Sequence, residues 1–438
     1  MSTSRTSLTG FVVLVLLASL TCGCNASKYK MAREAIGAAD RTFSAPCGEA
    51  ATPPMPGIGA GSAGSSLRDH RLRGDGRESY DVVRVFYGTN RDRNAETTEL
   101  NSFYGTTVGK LDLGFLDVSI PSSHTYGDVE RPSLWRLEFS EDPEKHVVLQ
   151  SIEPVDRDEF VNSLAGHVQR SEKQEAFVFV HGFNVAFDEA ARRTAQMAHD
   201  LTFDGPPVMF SWPSDGSLSS YVADMDDADA SEADFRDFLE MVATESRAKR
   251  IHLVAHSMGS RLVTTALNRL AEESKYREIP KLNEVILAAP DVDANVFKNQ
   301  IAPRILNTAD RVTIYASSTD RALQASKAVH QGHRLGLGGD DLVTFPDSEA
   351  IDVVDATGKD LGWFALGLGH SAYGNELLKD IAGVLRGTAA EHRKLEEHII
   401  QTAWQVPDEV EEESSQPSLP DAVEPWWKQL LWWLYRTT

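Results

Sequence analysis

The stretch that most constrains this chain is Arg250-Ile251-His252-Leu253-Val254-Ala255-His256-Ser257-Met258-Gly259-Ser260-Arg261-Leu262-Val263. An apolar run ends at a serine, and a helical pattern starts at once. Met258, Leu262, Val263, Ala266, Leu267 and Leu270 recur at the spacing of one helix face. Strand, sharp turn and helix form the context in which a serine motif becomes a nucleophile elbow. The turn strains the backbone at the serine, so the residues two before and two after it must be small. Gly259 meets that demand, and Ala255, in place of the usual glycine, carries the smallest Cβ available. The pentapeptide alone also fits an ordinary helix N-cap serine, so other parts of the chain must decide.

With 438 residues the chain has room for one large α/β domain or two small ones. A formal net charge of −22 argues against a nucleic-acid partner, because phosphate binding needs clustered Lys and Arg. The acidity concentrates in runs such as Asp224–Asp234 and Asp408–Glu413, which read as solvated surface.

Residues 1–24 read as an export signal: Arg5 supplies the positive start, and Phe11–Leu20 form an apolar core too short to span a bilayer. Its end, Leu20-Thr21-Cys22-Gly23-Cys24, resembles a bacterial lipoprotein box with Cys24 as the residue to be lipidated. Simple secretion and a retained anchor are the alternatives. The cysteines are Cys22, Cys24 and Cys47, so the region of the serine motif holds neither a disulfide nor a thiolate metal site. The expected location is the cell envelope, with the protein anchored by its N-terminal lipid or free in the periplasm.

Residues 25–78, rich in Ala, Gly, Ser, Pro and Arg, read as a flexible tether, and residues 79–387 as the folded domain. Within it, Val82–Tyr87 is a strand candidate followed by Gly88-Thr89-Asn90-Arg91 as a turn. Phe115–Ile120, Trp135–Phe139 and His146–Gln150 add short strands that make an antiparallel start to the sheet. Further on, Ala176–Val180 leads into a His181-Gly182 turn and a helix. Pro207–Trp212, the serine strand, Val285–Pro290, Val312–Ala316 and Ile351–Val354 follow, the last expected to close the sheet. A polar stretch separates Pro213 from a long helix that Ser231 and Asp234 would cap. Strands alternating with helices predict a mostly parallel sheet covered on both faces. Residues 388–438 read as a helix over Ala389–Ala403, an acidic linker and a tail, Trp426–Tyr435, too short to cross a membrane. That tail could lie in a lipid interface or dock on the domain.

In a parallel sheet the strand-end residues share one site, because ligands bind at the carboxyl ends of the strands. A serine hydroxyl needs a base within reach, and the base needs an orienting group. Downstream of Ser257, Asp320 follows Val312–Ala316 and His370 follows the expected last strand, giving the order Ser, Asp, His. Asp291 and Asp293 are rival acids expected to cap a helix or line the pocket, and His330 and His333 are rival bases. Two N–H donors must face the developing oxyanion. The expected pair is the backbone of Met258, at the helix start, and of Phe183, after the His-Gly turn; His181 itself reads as structural. The acidic stretch Asp224–Ser231 fails calcium-loop spacing, no phosphate-cradling loop or His-x-x-x-His zinc pattern occurs, and no cofactor is needed.

Taken together, Val85–Arg91, Val180–Asn184, Phe210–Ser214, Ala255–Gly259, Ala289–Asp293, Ser318–Leu323 and Gly369-His370-Ser371 resemble the bacterial α/β-hydrolase family catalogued as DUF900, over residues 80–385. The resemblance implies an α/β-hydrolase fold with a lipase-like serine triad and names no settled substrate. The expected activity is cleavage of a small-molecule or lipid ester through an acyl-enzyme, with thioesters and amides within reach of the same machinery. The alternative is a non-catalytic envelope protein that uses the fold as a binding scaffold. No oligomeric state follows from the sequence.

Overall fold

A computed structural model describes residues 68–72, 78–94, 97–133, 138–215, 221–273, 279–319, 323, 326, 332–358, 374–398 and 402–407, which lie in one compact unit beginning at Ala63. The strand that precedes the serine, β7 (Arg250–His256), runs parallel between β5 (Glu175–Val180) and β8 (Leu282–Ala288). Beyond β8 lie β9 (Ala309–Ala316) and β10 (Ile351–Asp355), also parallel. On the other side, β6 (Pro207–Ser211) and β2 (Glu78–Arg93) continue the parallel set. The antiparallel strands β3 (Tyr104–Pro121) and β4 (Val148–Val155) complete that end, and β1 (Arg68–Leu72) pairs with β2.

Alternation along each strand feeds two separate cores. Ala176, Val178 and Val180 of β5, with Leu253 and Ala255 of β7, pack on one face. Helices α1 (Arg157–Arg170), α4 (Glu232–Glu245) and α5 (Met258–Glu272) cover that face, with Ala228 of α3 (Tyr221–Ala230). Phe177, Phe179 and Val254 point the other way, toward α2 (Phe187–Asp200) and α6 (Gly374–Leu385). Because βαβ crossovers are right-handed, a connection stepping one way along the sheet and one stepping the other way fall on opposite faces. The chain moves from β5 through α2 to β6, and from β7 through α5 to β8, in opposite directions. The carboxyl ends of β5 and β7 therefore flank a topological switch point, where such sheets bind ligands.

Several local expectations are corrected. Gly88–Arg91 is no turn: β2 runs through to Arg93, with the register shifting on either side of Arg91. The polar side chains there are bonded inside the protein, Thr89 Oγ1 to the Ser211 carbonyl at 2.6 Å and Asn90 Nδ2 to Ser231 Oγ at 3.0 Å. Ser231 does not cap α4, because α3 runs into it in helical conformation and its hydroxyl serves Asn90 and the Asp227 carbonyl instead. Asp234 likewise accepts from Asn90, at 3.2 Å. Glu138 and Phe139 form no strand, and residues 134–137 lie outside the described set.

The helix expected over Ala389–Ala403 is absent among the described residues, and Ile351–Val354 is not the last strand. The described residues between 389 and 407 hold a 3-10 turn, Ala390–His392, and two short strands, β11 (Glu396–Glu397) and β12 (Trp404–Gln405). β12 adds to β10 in parallel, and Ala403 and Val406 are buried in the two cores. Burial decides the matter over helical propensity: Arg393 is enclosed between Asp352 at 3.2 Å and Asp380 at 3.3 Å, a position that a free helix would forfeit. The sheet thus extends past residue 387. Ending the chain at Gly387 strips the buried Asp380 of its arginine and leaves the half-buried Asp352 with Arg311 alone, and losing one partner of a buried pair costs about 3–5 kcal/mol. In urea unfolding, a chain ending at Gly387 should be less stable by at least about 3 kcal/mol than one ending at Pro407, and equal midpoints would refute this account of the edge.

Candidate active site

Ser257 sits between the last residue of β7 and the first of α5 with φ 48° and ψ −118°. Residues other than glycine rarely adopt this region, and holding one there costs about 1–3 kcal/mol. The surroundings over-determine it. The Ser257 N–H donates to the Ala288 carbonyl at 2.9 Å, and its carbonyl accepts from the N–H groups of Ser260 at 3.0 Å and Asp291 at 3.2 Å. The turn after β8 therefore clamps the elbow from one side. The end of β5 clamps it from the other: a Cβ on Gly259 would lie 2.3 Å from the His181 carbonyl oxygen. The smallness required at that position is thus a contact between the start of α5 and the β5 backbone.

Gly182 comes as close to the serine itself. A Cβ there would lie 2.6 Å from His256 Nδ1 and 3.1 Å from Ser257 Cβ. The loop after β5 therefore lies directly against the nucleophile candidate, bringing Phe183 and Met258, the expected oxyanion donors, to the same place. Met258 opens α5, where the first N–H groups have no intrahelical acceptor and the helix dipole favours negative charge.

His181, together with Arg91, Ser211 and Trp212, whose part in this the sequence did not reveal, holds that loop. His181 is buried and stacks on Trp212, ring centroids 5.2 Å apart, while Trp212 Nε1 donates to the His181 carbonyl at 2.8 Å. Burial, then the charge of Arg91, depresses His181 to about 3, so the ring is neutral. Its Nδ1 lies 2.9 Å from the Gly182 carbonyl and can only donate there, which leaves Nε2 to accept from Ser211 Oγ at 3.0 Å. Ser211 Oγ in turn accepts from Arg91 Nε at 2.9 Å. The chain of bonds fixes the Gly182 carbonyl, and in a planar trans peptide the Phe183 N–H then points the opposite way. His181 is thereby a structural residue, as its sequence context suggested. His256, also buried and also lowered to about 3 by burial and Arg193, is as weak a base as His181.

The rival acids are occupied. Asp293 caps the helical turn after β8, accepting from the N–H groups of Asn295 at 2.9 Å and Val296 at 3.0 Å. Asp291, 5% exposed, accepts from Tyr221 Oη and from Ser326 Oγ at 2.7 Å, and pairs with Arg334 Nε at 3.3 Å. Tyr221 meets the Phe183 ring edge-on at 5.3 Å and so borders the site. It lies in the stretch that reads as polar and structureless in sequence, where one aromatic gives little signal. His333 contacts Asp341 rather than the serine. Asp320, His330 and His370 lie outside the described residues. The described part of the site thus joins Ser257 with Met258 and Phe183, while β9, the second strand beyond β7, carries the chain as far as Thr319.

Replacing Gly182 by Ala should leave the fold intact and displace the loop from the serine. Loss of one oxyanion donor lowers turnover by about 10²–10³. A comparable fall in kcat on a p-nitrophenyl ester, with KM little changed, is the expected result; wild-type turnover would show that the loop has no catalytic part.

Comparison with known proteins fits this arrangement. Residues 156–376, half of the chain, match the family described as alpha/beta hydrolase of unknown function, DUF900. An uncharacterized protein of Nostoc sp. is 24% identical over 228 residues, 46% of this chain and 54% of that protein, so the chain spans about half the length of that relative. Among solved structures, an inhibited esterase B from Lactobacillus rhamnosis has a TM-score of 0.31 at 9% identity, covering 74% of this chain and 90% of its own. A thermophilic esterase from Thermogutta terrifontis has a TM-score of 0.30 at 13% identity, covering 63% and 91% respectively. Scores this low carry no inference about activity; the family match and the sheet order carry the fold. With its strained serine between a central parallel strand and a helix, and its family profile spanning half the sequence, the chain belongs to the α/β-hydrolase family of unknown function, DUF900.

Proposed function

We propose that the protein is a serine hydrolase that cleaves carboxylic esters, of small molecules or lipids, through an acyl-enzyme. The observation that carries this reading is the strained Ser257 at the end of β7, with Gly182 packed on its Cβ and α5 starting behind it. A binding scaffold has no use for about 1–3 kcal/mol of backbone strain at one serine. In the proposed reaction Ser257 Oγ attacks the ester carbonyl and His370 takes its proton. The N–H groups of Met258 and Phe183 receive the oxyanion. The alcohol leaves with the proton from His370, and water, activated by the same imidazole, releases the acid. Asp320 holds the imidazole in the productive tautomer and stabilises its charged form. Two facts support that assignment of base and acid: His181 and His256 are too weakly basic for the role, and Asp291 and Asp293 are committed elsewhere.

A fluorophosphonate probe should label the wild-type protein and fail to label Ser257→Ala, which should fold normally and lose ester turnover. Undiminished turnover in folded Ser257→Ala would sink the serine assignment. Loss of the orienting acid costs about 10⁴ in kcat, so Asp320→Asn should be stable and nearly inactive. Should Asp320→Asn keep full activity while Asp291→Asn loses it, the acid is Asp291 instead.

A further inference from the structure

A second cluster of chemistry-bearing side chains lies away from the serine, where α2 ends. His124, from the loop after β3, meets His199 and Asp200, the last two residues of α2, with one donor atom from each within 4.8 Å of the others. The inner atoms are His124 Nε2, His199 Nδ1 and Asp200 Oδ1: the carboxylate oxygen is 2.8 Å from the first and 3.4 Å from the second. A tetrahedral zinc with bonds of about 2.0–2.1 Å sets its donors about 3.3 Å apart, so both separations from the carboxylate oxygen are within about half an ångström of that spacing.

What surrounds these atoms is the independent observation. Metal-bound imidazoles characteristically give their other ring nitrogen to a carboxylate, which orients the ring and raises its basicity. His124 does so, and His199 has a carboxylate beside its other nitrogen. His124 Nδ1 lies 2.9 Å from Glu130 Oε2, and His199 Nε2 lies 3.4 Å from Asp81 Oδ2. The third donor is held in the same way: Asp200 Oδ2 accepts from the Gly127 N–H at 2.6 Å and from the Gln196 amide, which leaves Oδ1 facing the imidazoles. The cluster also caps the negative end of the α2 dipole, so carboxylates and helix together favour a cation.

We propose that His124, His199 and Asp200 bind one divalent transition metal, with zinc the best match to two imidazoles and a carboxylate. His199, whose side chain is 26% exposed, borders the open fourth position, where water completes the tetrahedron. α2 runs 14 residues from beside the Phe183 loop to His199 and Asp200, which at 1.5 Å per residue places the metal roughly 20 Å from the start of that helix. Its effect is to pin the loop after β3 to the end of α2. The donors are separated by some 75 positions in sequence, which is why no zinc spacing motif shows them.

The test uses the full chain, stripped of metal and with its cysteines alkylated so that thiolates bind nothing. Titration with zinc at neutral pH should give one site per chain and a higher Tm. Cobalt at the same site should show the visible absorption of a tetrahedral ion. His199→Gln and Asp200→Asn should each abolish the site. Glu130→Gln and Asp81→Asn, which touch no metal, should weaken it about 10–100-fold. Ester turnover should survive in His199→Gln. Failure to bind zinc at micromolar free metal, or binding undiminished in both His199→Gln and Asp200→Asn, would overturn the proposal and leave the cluster as an ion-paired imidazolium.

Discussion

The guanidinium of Arg91 is buried beneath the candidate active site, and much of the architecture around it exists to satisfy it. Its bonds run to Ser211 Oγ and to the carbonyls of Gly105, Ser214 and Val185, at 2.8–3.0 Å. Burial, partly offset by Asp224 and Asp188, lowers it to about 10, so it stays charged at neutral pH. A buried charge costs several kcal/mol unless its donors are used, and these donors tie three separate segments to β2 at one point. Through Ser211 and His181 the same group sets the Gly182 carbonyl and hence the direction of the Phe183 N–H. Substitution of Arg91 would therefore reach the Gly182–Phe183 loop, to which it makes no direct side-chain bond.

The elbow depends on a second kind of constraint, close backbone approach. Ser257 keeps its strained conformation because β5 and β8 both press on it, through Gly182 and Gly259 on one side and the Ala289–Asp291 turn on the other. Ala289 has a positive φ of 46° itself, so the brace is strained along with what it braces. Such strain survives only when neighbouring packing leaves no alternative. Here the two hydrophobic cores on the sheet faces supply that packing. α2 joins both ends of the picture: it begins beside the Gly182–Phe183 loop and ends at the His124 cluster.

The sequence by itself determined the parallel sheet, the elbow and the order of its loops, because continuous apolar runs alternating with helical faces are local signals. Val178 and Val254 read as buried from their neighbours alone. The small residue at Gly259 could be anticipated from the sharpness of the turn, and the structural role of His181 from its place after a buried strand. Only the tertiary structure decided where polar side chains go. Gly88–Arg91 reads as a turn in isolation, yet it continues β2 because Thr89, Asn90 and Arg91 find partners more than a hundred residues away. Ser231 has the composition of a cap and spends its hydroxyl on Asn90. Ala389–Ala403 has helical periodicity, but pairing with β10 and the enclosure of Arg393 outweigh it. The grouping of His124 with His199 and Asp200 is of the same kind. Hydrophobic pattern acts over a few residues and can be read along the chain; a buried polar group must be satisfied by whatever the fold brings near, and that is settled only in three dimensions.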